Sequence, residues 1–333
     1  MAVLYVTETG AQVRREGERL AVWKGKKKLH TLPAYDLHQM VLFGNIGITP
    51  AAMHTALMQG IDLVLLSTTG SYRGRLVGPQ GRNVILRQMQ YRRYEDEDFR
   101  LGAARGFVSG KIRNMRTLIM RLARRRNRDI AHTAQRLRAL LKQIDRIDNA
   151  DALRGIEGAA TATYFGALSQ FLPTAFPFVK RTRRPPKDAV NAMLSFGYTL
   201  LSSGLESAVL RVGLDPYIGY LHLVDYGRPS LALDMMEEFR PIIVDAMVLD
   251  LLNHGQIKKE DFEQRDGGVF LCGDGRQQLI RAYQDRVATK VQYLQPSGQV
   301  QKVPYRQCFE LQARRLIRML RGEDTAYQPF LIR

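Results

Sequence analysis

The strongest constraint on the fold is a change of apolar pattern near residue 80. Before this point, short apolar runs alternate with turn residues, as in a β-rich segment. After it, long stretches follow the helical period and contain few helix breakers. Sheets and helices bury their apolar faces in different packings, so the two patterns predict separate domains. We therefore expect an α+β multidomain protein, in which a small β-rich domain at 1–80 precedes a larger all-α domain at 81–333.

The N-terminal pattern is detailed enough to predict individual elements. Thr49 is a favourable N-cap, Pro50 suits the first helical position and Gly60 ends the pattern, so one short helix is predicted between them. Apolar and β-branched runs bounded by turn residues predict the strands. These lie at 3–6, 19–23, 28–32, 39–43, 61–67 and 72–78.

The charge of the chain indicates the kind of partner it binds. The formal net charge is +18 at pH 7, which points to a polyanion, either nucleic acid or an anionic membrane surface. No apolar stretch approaches the roughly 18 residues that span a bilayer. The two cysteines, Cys272 and Cys308, form no CxxC pair and suit a reducing compartment. We therefore expect a cytoplasmic protein that binds nucleic acid and no membrane.

Two basic segments are candidates for this binding. Residues 101–146 contain 13 Lys and Arg against two acids, and their period predicts one or two long helices. Residues 180–186 read KRTRRPP, which is too proline-rich for a helix and predicts a loop. Each run alone is compatible with a solvated face, but beside the net charge of +18 phosphate-backbone binding is the better interpretation. The candidate residues are Arg124, Arg125, Arg126, Arg128, Lys180, Arg181, Arg183 and Arg184.

A cluster of acids stands out against this basic background. The stretch GRPSLALDMMEEFRP predicts a helix with Ser230 as its N-cap. It places Asp234, Glu237 and Glu238 on one side of that helix. The helix dipole favours acids only in the first turn, so it explains Asp234 in part and the two glutamates poorly. A solvated acidic face and a metal or catalytic site both remain open as interpretations.

Two further residues join these acids as candidates. His222 lies among apolar residues, 15 positions before Glu237. Glu157 is the only acid in a helix start of small and apolar residues, and Tyr164 follows on the same face. Each also has an ordinary interpretation, as a core histidine and as an acid stabilised by the helix dipole. Together, two carboxylates and an imidazole without a thiolate suit Mg²⁺ or Mn²⁺, whereas no P-loop or GxGxxG motif indicates a nucleotide cofactor.

Four blocks of the sequence follow one another in order: LRGIEGAATATYF, RRPPKDAVNAMLSFGYTLL, GLDPYIGYLH and GRPSLALDMMEEFRP. Together they resemble the CRISPR-associated Cas One proteins, the integrases of spacer acquisition. The resemblance extends along nearly the whole chain. It implies an N-terminal β domain that mediates dimerisation and a C-terminal all-helical catalytic domain.

The resemblance also implies a set of site residues. By position in the blocks, the metal ligands are Glu157, His222 and Glu237. The family also keeps an acid at the position of Asp234, which is expected to face the substrate or to support the ligands. Other family-typical positions near the site are Tyr164, which joins the candidate catalytic residues, Asn191 and Tyr198.

The activity that the resemblance implies is metal-dependent phosphoryl transfer on DNA. The 3′-hydroxyl of a short captured duplex attacks a phosphodiester at a CRISPR repeat, and with water as the nucleophile the same site is an endonuclease. The basic residues would hold the double-stranded DNA of prespacer and repeat. A homodimer is expected, with a small second adaptation protein bridging two dimers. Two alternatives stay open, a standalone structure-selective DNase that acts on branched DNA and a non-enzymatic basic DNA-binding scaffold.

Overall fold

The chain divides into two compact units. The computed structural model describes residues 2–78 and 83–332, and the units are Met1–Arg82 and Asn83–Arg333. The first unit is rich in strands and the second in helices. The predicted change from strands to helices near residue 80 is therefore confirmed.

Within residues 2–78, the first unit contains two four-stranded sheets and one α-helix. The elements are β1 Ala2–Val6, β2 Gln12–Glu16, β3 Arg19–Lys24, β4 Lys27–Pro33, β5 Leu37–Phe43, β6 Gly47–Ile48, α1 Pro50–Met58, β7 Asp62–Leu66 and β8 Tyr72–Leu76. One sheet has the order β1-β5-β7-β8, with β5 parallel to β1 and β7, and the other has the order β4-β3-β2-β6. The Thr49 hydroxyl accepts a hydrogen bond from the Ala52 N–H at 3.3 Å, so the predicted helix cap is confirmed.

The sequence pattern predicts neither β2 nor β6. The five residues of β2 read QVRRE, and only Val13 among them is buried. β2 is nevertheless paired antiparallel with β3 along its length, and it pairs with the two residues of β6. A mostly polar strand is held by its neighbours in the sheet, which a local pattern does not reveal.

Within residues 83–332, the second unit contains nine α-helices and two β-hairpins. The helices are α2 Val84–Glu95, α3 Glu97–Arg126, α4 Ala131–Ile144, α5 Ala150–Leu168, α6 Ala189–Arg211, α7 Ser230–Met236, α8 Ala246–Asn253, α9 Gly273–Ala288 and α10 Tyr305–Leu320. The hairpins are β9 Phe262–Arg265 with β10 Gly268–Leu271, and β11 Lys290–Leu294 with β12 Val300–Pro304. The expectation of an all-α domain is therefore wrong. The sequence pattern misses these strands because they are short and largely exposed, so no apolar alternation marks them.

The basic segment 101–146 forms two helices, as predicted. α3 is 30 residues long, and α4 follows after a short break. One face of α3 is buried, and Phe107, Lys111 and Met115 follow one another along it at four-residue intervals. This face packs against α5 and against the interrupted helix that carries the acid cluster. No helix of the described residues, 2–78 and 83–332, is long and apolar enough to cross a membrane.

The acid cluster lies in a buried helix that is interrupted. α7 ends at Met236, a π-helical turn spans Arg240–Asp245, and α8 continues from there. Pro241 lacks an N–H and cannot continue the regular hydrogen-bond ladder, which accounts for the interruption. The expectation that Ser230 caps the helix is wrong, because it is the first helical residue after Pro229. Its hydroxyl instead donates to the carbonyl of the preceding loop residue Leu223 at 2.9 Å.

Candidate active site

The three acids of the cluster are buried in three different surroundings. Asp234 and Glu238 are completely buried, and Glu237 is 2% exposed. The interpretation of the cluster as a solvated acidic face is therefore wrong. Each carboxylate has its own partners, which are a backbone loop, a set of cations and a C-terminal segment of the chain.

The carboxylate of Asp234 is saturated with hydrogen bonds. Oδ2 accepts the N–H groups of Tyr220 at 2.5 Å and Leu221 at 3.0 Å, and Oδ1 accepts the N–H of His222 at 2.9 Å. Nδ1 of the His222 ring lies 2.7 Å from Oδ1. Because an ionised carboxylate only accepts hydrogen bonds, Nδ1 carries a proton. Asp234 therefore fixes the loop and turns the other ring nitrogen, Nε2, away from itself.

Glu237 receives the nitrogen atoms of three side chains. Its Oε2 lies 2.6 Å from Lys111 Nζ, and its Oε1 lies 3.2 Å from Arg240 Nη2 and 3.8 Å from His222 Nε2. Burial alone raises the pKa of Glu237, but Arg240, Lys111 and His222 outweigh it and lower the pKa to about 2. Glu237 is therefore a charged carboxylate in a buried place, where it faces a neighbouring imidazole nitrogen.

Lys111 joins Glu237 to Glu157. Its Nζ also donates a short hydrogen bond to Oε1 of Glu157, which accepts a second one from the Thr161 hydroxyl at 2.9 Å. Lys111 is only 2% exposed, so its ammonium is held inside the protein between two carboxylates. The sequence motifs do not single out Lys111. The signal that could have found it is its position on the apolar face of α3, four residues after Phe107.

Two of the three predicted metal ligands, Glu157 and Glu237, therefore meet at a lysine, and the third, His222, lies beside Glu237. Within residues 2–78 and 83–332, no group of three or more His, Cys, Asp or Glu side chains is gathered closely enough to hold a metal ion. The chemistry of the donors nevertheless suits Mg²⁺ or Mn²⁺, since Glu157 and Glu237 offer oxygens and His222 offers an imidazole nitrogen. The Lys111 ammonium marks the point at which these carboxylates already hold a positive charge.

Tyr164 lies in a neighbouring buried network. Its hydroxyl donates to Oδ2 of Asp245 at 2.8 Å, and the Tyr198 hydroxyl donates to Oδ1 at 2.5 Å. Burial raises the pKa of Asp245 to about 6 and the pKa of both tyrosines well above 10. The guanidinium of Arg240, which pairs with Glu237, stacks 4.9 Å from the centre of the Tyr198 ring. Tyr164 thus shares Asp245 with Tyr198, whose ring lies against Arg240. It belongs to this network and not to the group around Lys111.

Comparison with known proteins places the chain in a family. The family model of the CRISPR associated protein Cas1 matches residues 4–285. The chain belongs to the Cas1 family. A CRISPR-associated endonuclease Cas1 of Thermus thermophilus is 38% identical over 335 residues, which cover 100% of this chain and 98% of the relative. The resemblance to the Cas One proteins is therefore confirmed.

Solved structures extend this similarity to the fold of the Cas1 chain. A casposase bound to an integration product has a TM-score of 0.86 at 23% identity, and the match covers 98% of this chain and 93% of the casposase. At this identity the likeness concerns the fold alone. A chain of a Cas6-RT-Cas1–Cas2 complex has a TM-score of 0.83 at 27% identity, covering 98% of this chain and 36% of that longer chain.

Glu238 of this Cas1 chain holds a C-terminal segment. Its carboxylate accepts the Phe330 N–H at 2.8 Å, the Tyr327 hydroxyl at 2.9 Å and Gln312 Nε2 at 3.1 Å. Burial raises the pKa of Glu238 to about 8, although these three donors oppose the rise. Asn114 of α3 reinforces the contact, since its side-chain amide donates to the carbonyls of Glu238 and Phe330 at 2.8 Å each. The residue next to Glu237 therefore anchors the segment 327–330.

The predicted phosphate-binding residues fall into two groups. Arg181 is half-buried, donates to Asn191 Oδ1 at 2.5 Å and stacks 5.3 Å from the centre of the Tyr198 ring. Its guanidinium is thus engaged with the protein interior, which leaves little of it for a phosphate. The other residues of the set are exposed; they are Arg124, Arg125, Arg126, Arg128, Lys180, Arg183 and Arg184.

Proposed function

We propose that this Cas1 protein is a divalent-metal-dependent DNA endonuclease and integrase of CRISPR adaptation. It joins the 3′-hydroxyl of a short duplex to a phosphodiester at a CRISPR repeat, and the new bond replaces the broken one. The observation that carries the proposal is that the carboxylates of Glu157 and Glu237 share one cation position, Lys111 Nζ, with His222 Nε2 next to Glu237. Membership of the Cas1 family, whose Thermus relative is named an endonuclease, supports it.

The residues that would hold Mg²⁺ or Mn²⁺ are Glu157, His222 and Glu237. Bound there, the metal would polarise the phosphodiester and stabilise charge on the leaving oxygen. Asp234, the first acid of the cluster, supports this assignment through its contacts with His222. Its oxygens already accept three backbone N–H groups and the His222 ring, so it is better suited to orient His222 than to bind metal.

Several residues of the chain prepare the site for a nucleic-acid substrate. Arg240 and Lys111 keep Glu237 ionised, so it offers a negatively charged oxygen at neutral pH. The Asp245 carboxylate holds Tyr198, on whose ring Arg240 rests, so this guanidinium keeps a fixed place beside Glu237. These contacts supply a preorganised charge distribution before the substrate arrives.

The proposal includes double-stranded DNA and protein partners. The seven exposed basic residues of the two basic segments would contact the phosphate backbones of prespacer and repeat. The strand-rich first unit would form the homodimer. A small second adaptation protein would bridge two dimers, in line with the Cas1–Cas2 complex that contains a chain similar to this one.

A half-site integration assay tests the proposal. A duplex with 3′-hydroxyl ends, a plasmid with a CRISPR repeat and Mn²⁺ should give a joined strand. Glu157→Gln, His222→Asn and Glu237→Gln should each lower strand transfer by about 10- to 100-fold or more, because each removes a metal ligand. Glu260→Gln is the matched control, since it changes an exposed acid of the same unit and should leave the rate unchanged. Unchanged strand transfer in Glu157→Gln or His222→Asn would contradict the site assignment.

The same assay separates the two alternative functions. A structure-selective DNase would cut branched DNA equally well when the duplex ends lack 3′-hydroxyls, and it would give no joined product. A DNA-binding scaffold would give neither cleavage nor joining, and its DNA affinity would fall steeply with salt whether or not EDTA is present.

A further inference from the structure

The buried ammonium of Lys111 has a use that the proposed metal site does not by itself explain. We propose that Lys111 is a built-in competitor of the catalytic metal. Its ammonium holds Glu157 and Glu237 together in the metal-free protein and competes with the metal for the same carboxylates, so Lys111 sets the metal affinity of the site. This inference rests on the proposed function, because it takes Glu157 and Glu237 as metal ligands.

The position of the Lys111 ammonium is the first observation that supports this competition. Lys111 Nζ is in direct contact with Glu157 and lies 2.6 Å from Glu237 Oε2. Metal–oxygen bonds to carboxylates are only about 2.0–2.6 Å long, so a metal bound by both residues would lie at nearly the same point. Two cations that share the same oxygens repel each other strongly in a buried place.

The charge balance of the site is the second observation that supports this competition. Glu157 and Glu237 bring two negative charges, and Lys111 and Arg240 bring two positive ones, so the metal-free group is neutral. A divalent ion added beside both cations would leave a buried excess of two positive charges. If the ion replaces the Lys111 ammonium between the carboxylates, the excess is only one. The neutral metal-free group therefore opposes metal binding, and most of the opposition comes from Lys111.

The location of Lys111 between three elements is the third observation that supports this competition. It projects from the buried face of α3, whereas Glu157 belongs to α5 and Glu237 follows α7, so the ammonium joins three elements. Without a cation at this point, two carboxylates would face each other, with Arg240 and His222 as the remaining partners of Glu237. A lysine here keeps the ligands preorganised, and its flexible chain lets the charge give way to a metal.

Mn²⁺ binding measured by electron paramagnetic resonance tests the inference without any substrate. Lys111→Met keeps the apolar body of the side chain up to its last carbon and removes the charged ammonium. We expect its Mn²⁺ dissociation constant to be at least about tenfold lower than that of the unaltered protein. Lys142→Met, at an exposed position of α4, is the matched control and should not change the constant. An unchanged or higher constant in Lys111→Met would overturn the inference.

A third variant separates competition for a shared position from a general electric field. Arg240 is also a cation at Glu237, which it contacts at 3.2 Å, whereas its interaction with Glu157 is through charge. Removing any nearby positive charge strengthens metal binding somewhat, so Arg240→Met should lower the Mn²⁺ dissociation constant by less than Lys111→Met does. An equal or larger gain in Arg240→Met would show that the bridging position of Lys111 has no special role, and would overturn the inference.

Thermal unfolding covers the case in which Lys111→Met folds poorly. In EDTA the variant should melt at a lower temperature than the unaltered protein, because its two carboxylates lack their shared cation. In saturating Mn²⁺ this difference should vanish, since the metal takes over the same role. A deficit of the same size with and without Mn²⁺ would mean that Lys111 is only a structural residue.

These results distinguish the inference from the function on which it rests. If the unaltered protein binds Mn²⁺ and joins DNA but Lys111→Met shows no gain in affinity, only the role of Lys111 is wrong. If neither protein binds Mn²⁺ and Glu157→Gln leaves strand transfer unchanged, the metal site and the role of Lys111 are both wrong.

Discussion

The carboxylate of Asp234 lies 2.7 Å from Nδ1 of His222 and shares the same oxygen with the His222 backbone N–H at 2.9 Å. One side chain therefore determines both the path of the loop and the orientation of the ring. Gly219 allows this close approach, because a Cβ atom there would lie 2.8 Å from Asp234 Oδ2. The imidazole is thus directed toward Glu237 by a residue that is itself completely buried.

We predict that Asp234→Asn damages the site without removing a proposed ligand. The amide would turn an N–H₂ group toward backbone donors, so the loop would lose hydrogen bonds at a cost of about 1–3 kcal/mol. Mn²⁺ affinity should fall by about 10- to 100-fold, because His222 Nδ1 no longer has its carboxylate partner. Binding by electron paramagnetic resonance and urea unfolding measure the two effects. Asp225→Asn, exposed in the same loop, should change neither, and an Asp234→Asn protein with full Mn²⁺ affinity would contradict the role assigned to Asp234.

The raised pKa of Glu238 predicts that the stability of the protein depends on pH. Its pKa is raised by burial to about 8 in the folded protein, from about 4.5 in the unfolded chain. The folded state therefore binds the proton more tightly, so this contribution to stability is complete below about pH 4.5 and is lost as the pH rises through about 8. Relative to Glu238→Gln, the free energy of unfolding should fall by up to about 1.4 kcal/mol per pH unit.

Urea unfolding between about pH 6.5 and 8 measures this difference. Within this window Asp245, whose pKa is raised by burial only to about 6, contributes little. Glu238→Gln carries no titratable group, so the slope that remains in the variant comes from the rest of the protein. Parallel pH profiles for the two proteins would show that Glu238 has the same proton affinity folded and unfolded.

Two glycines of the second unit should respond in opposite directions to alanine. At Gly110 of α3, a Cβ atom would lie 2.5 Å from Pro329 Cβ and 3.2 Å from Glu238 Cβ. Gly110→Ala should therefore lower the free energy of unfolding by about 1–3 kcal/mol. At Gly155 of α5 a Cβ atom meets nothing within 4 Å, so Gly155→Ala should raise it by about 0.5–1 kcal/mol. A Gly110→Ala protein as stable as Gly155→Ala would mean that the segment containing Pro329 is not held against α3.

The basic loop should separate DNA affinity from protein stability. The exposed Arg183 and Arg184 are expected to bind phosphates, so replacing both by alanine should weaken DNA binding. The slope of log K against log salt should become shallower by about 0.9 for each phosphate that the variant no longer neutralises, and the melting temperature should not change. Arg181→Ala should instead lower the melting temperature, because Asn191 and the Tyr198 ring lose their partner. If the Arg183 and Arg184 replacement lowered the melting temperature while Arg181→Ala changed only DNA binding, the roles assigned to these residues would be wrong.

The sequence predicts the local elements of this protein better than the contacts of its site. The helix capped by Thr49 and the two helices of 101–146 follow from local pattern, because capping and apolar period act within a few residues. The exposed hairpins cannot be predicted from local pattern, since their strands have no apolar alternation. The same limit hides Lys111, which is 126 residues from Glu237 in the chain and looks like one more basic residue of a basic helix.

The acid cluster shows where the local pattern stops being informative. A regular helix would place Asp234, Glu237 and Glu238 on one side. In the structure the helix changes to a turn after Met236, so the three carboxylates point to a loop, to Lys111 and to the segment at Phe330. The partner of Glu238 is 92 residues further along the chain, and only the folded protein brings the two together.

The contact between Glu238 and residues 327–330 has a consequence for synthesis of the chain. Tyr327 and Phe330 follow Glu238 by 89 and 92 residues, so the ribosome adds two of the three donors to this carboxylate long after the carboxylate itself. A chain that stops short of them leaves a buried carboxyl group without those donors, beside the proposed metal ligand Glu237. We expect such truncated copies to open readily and to be degraded, so that mainly chains containing residues 327–330 accumulate in folded form.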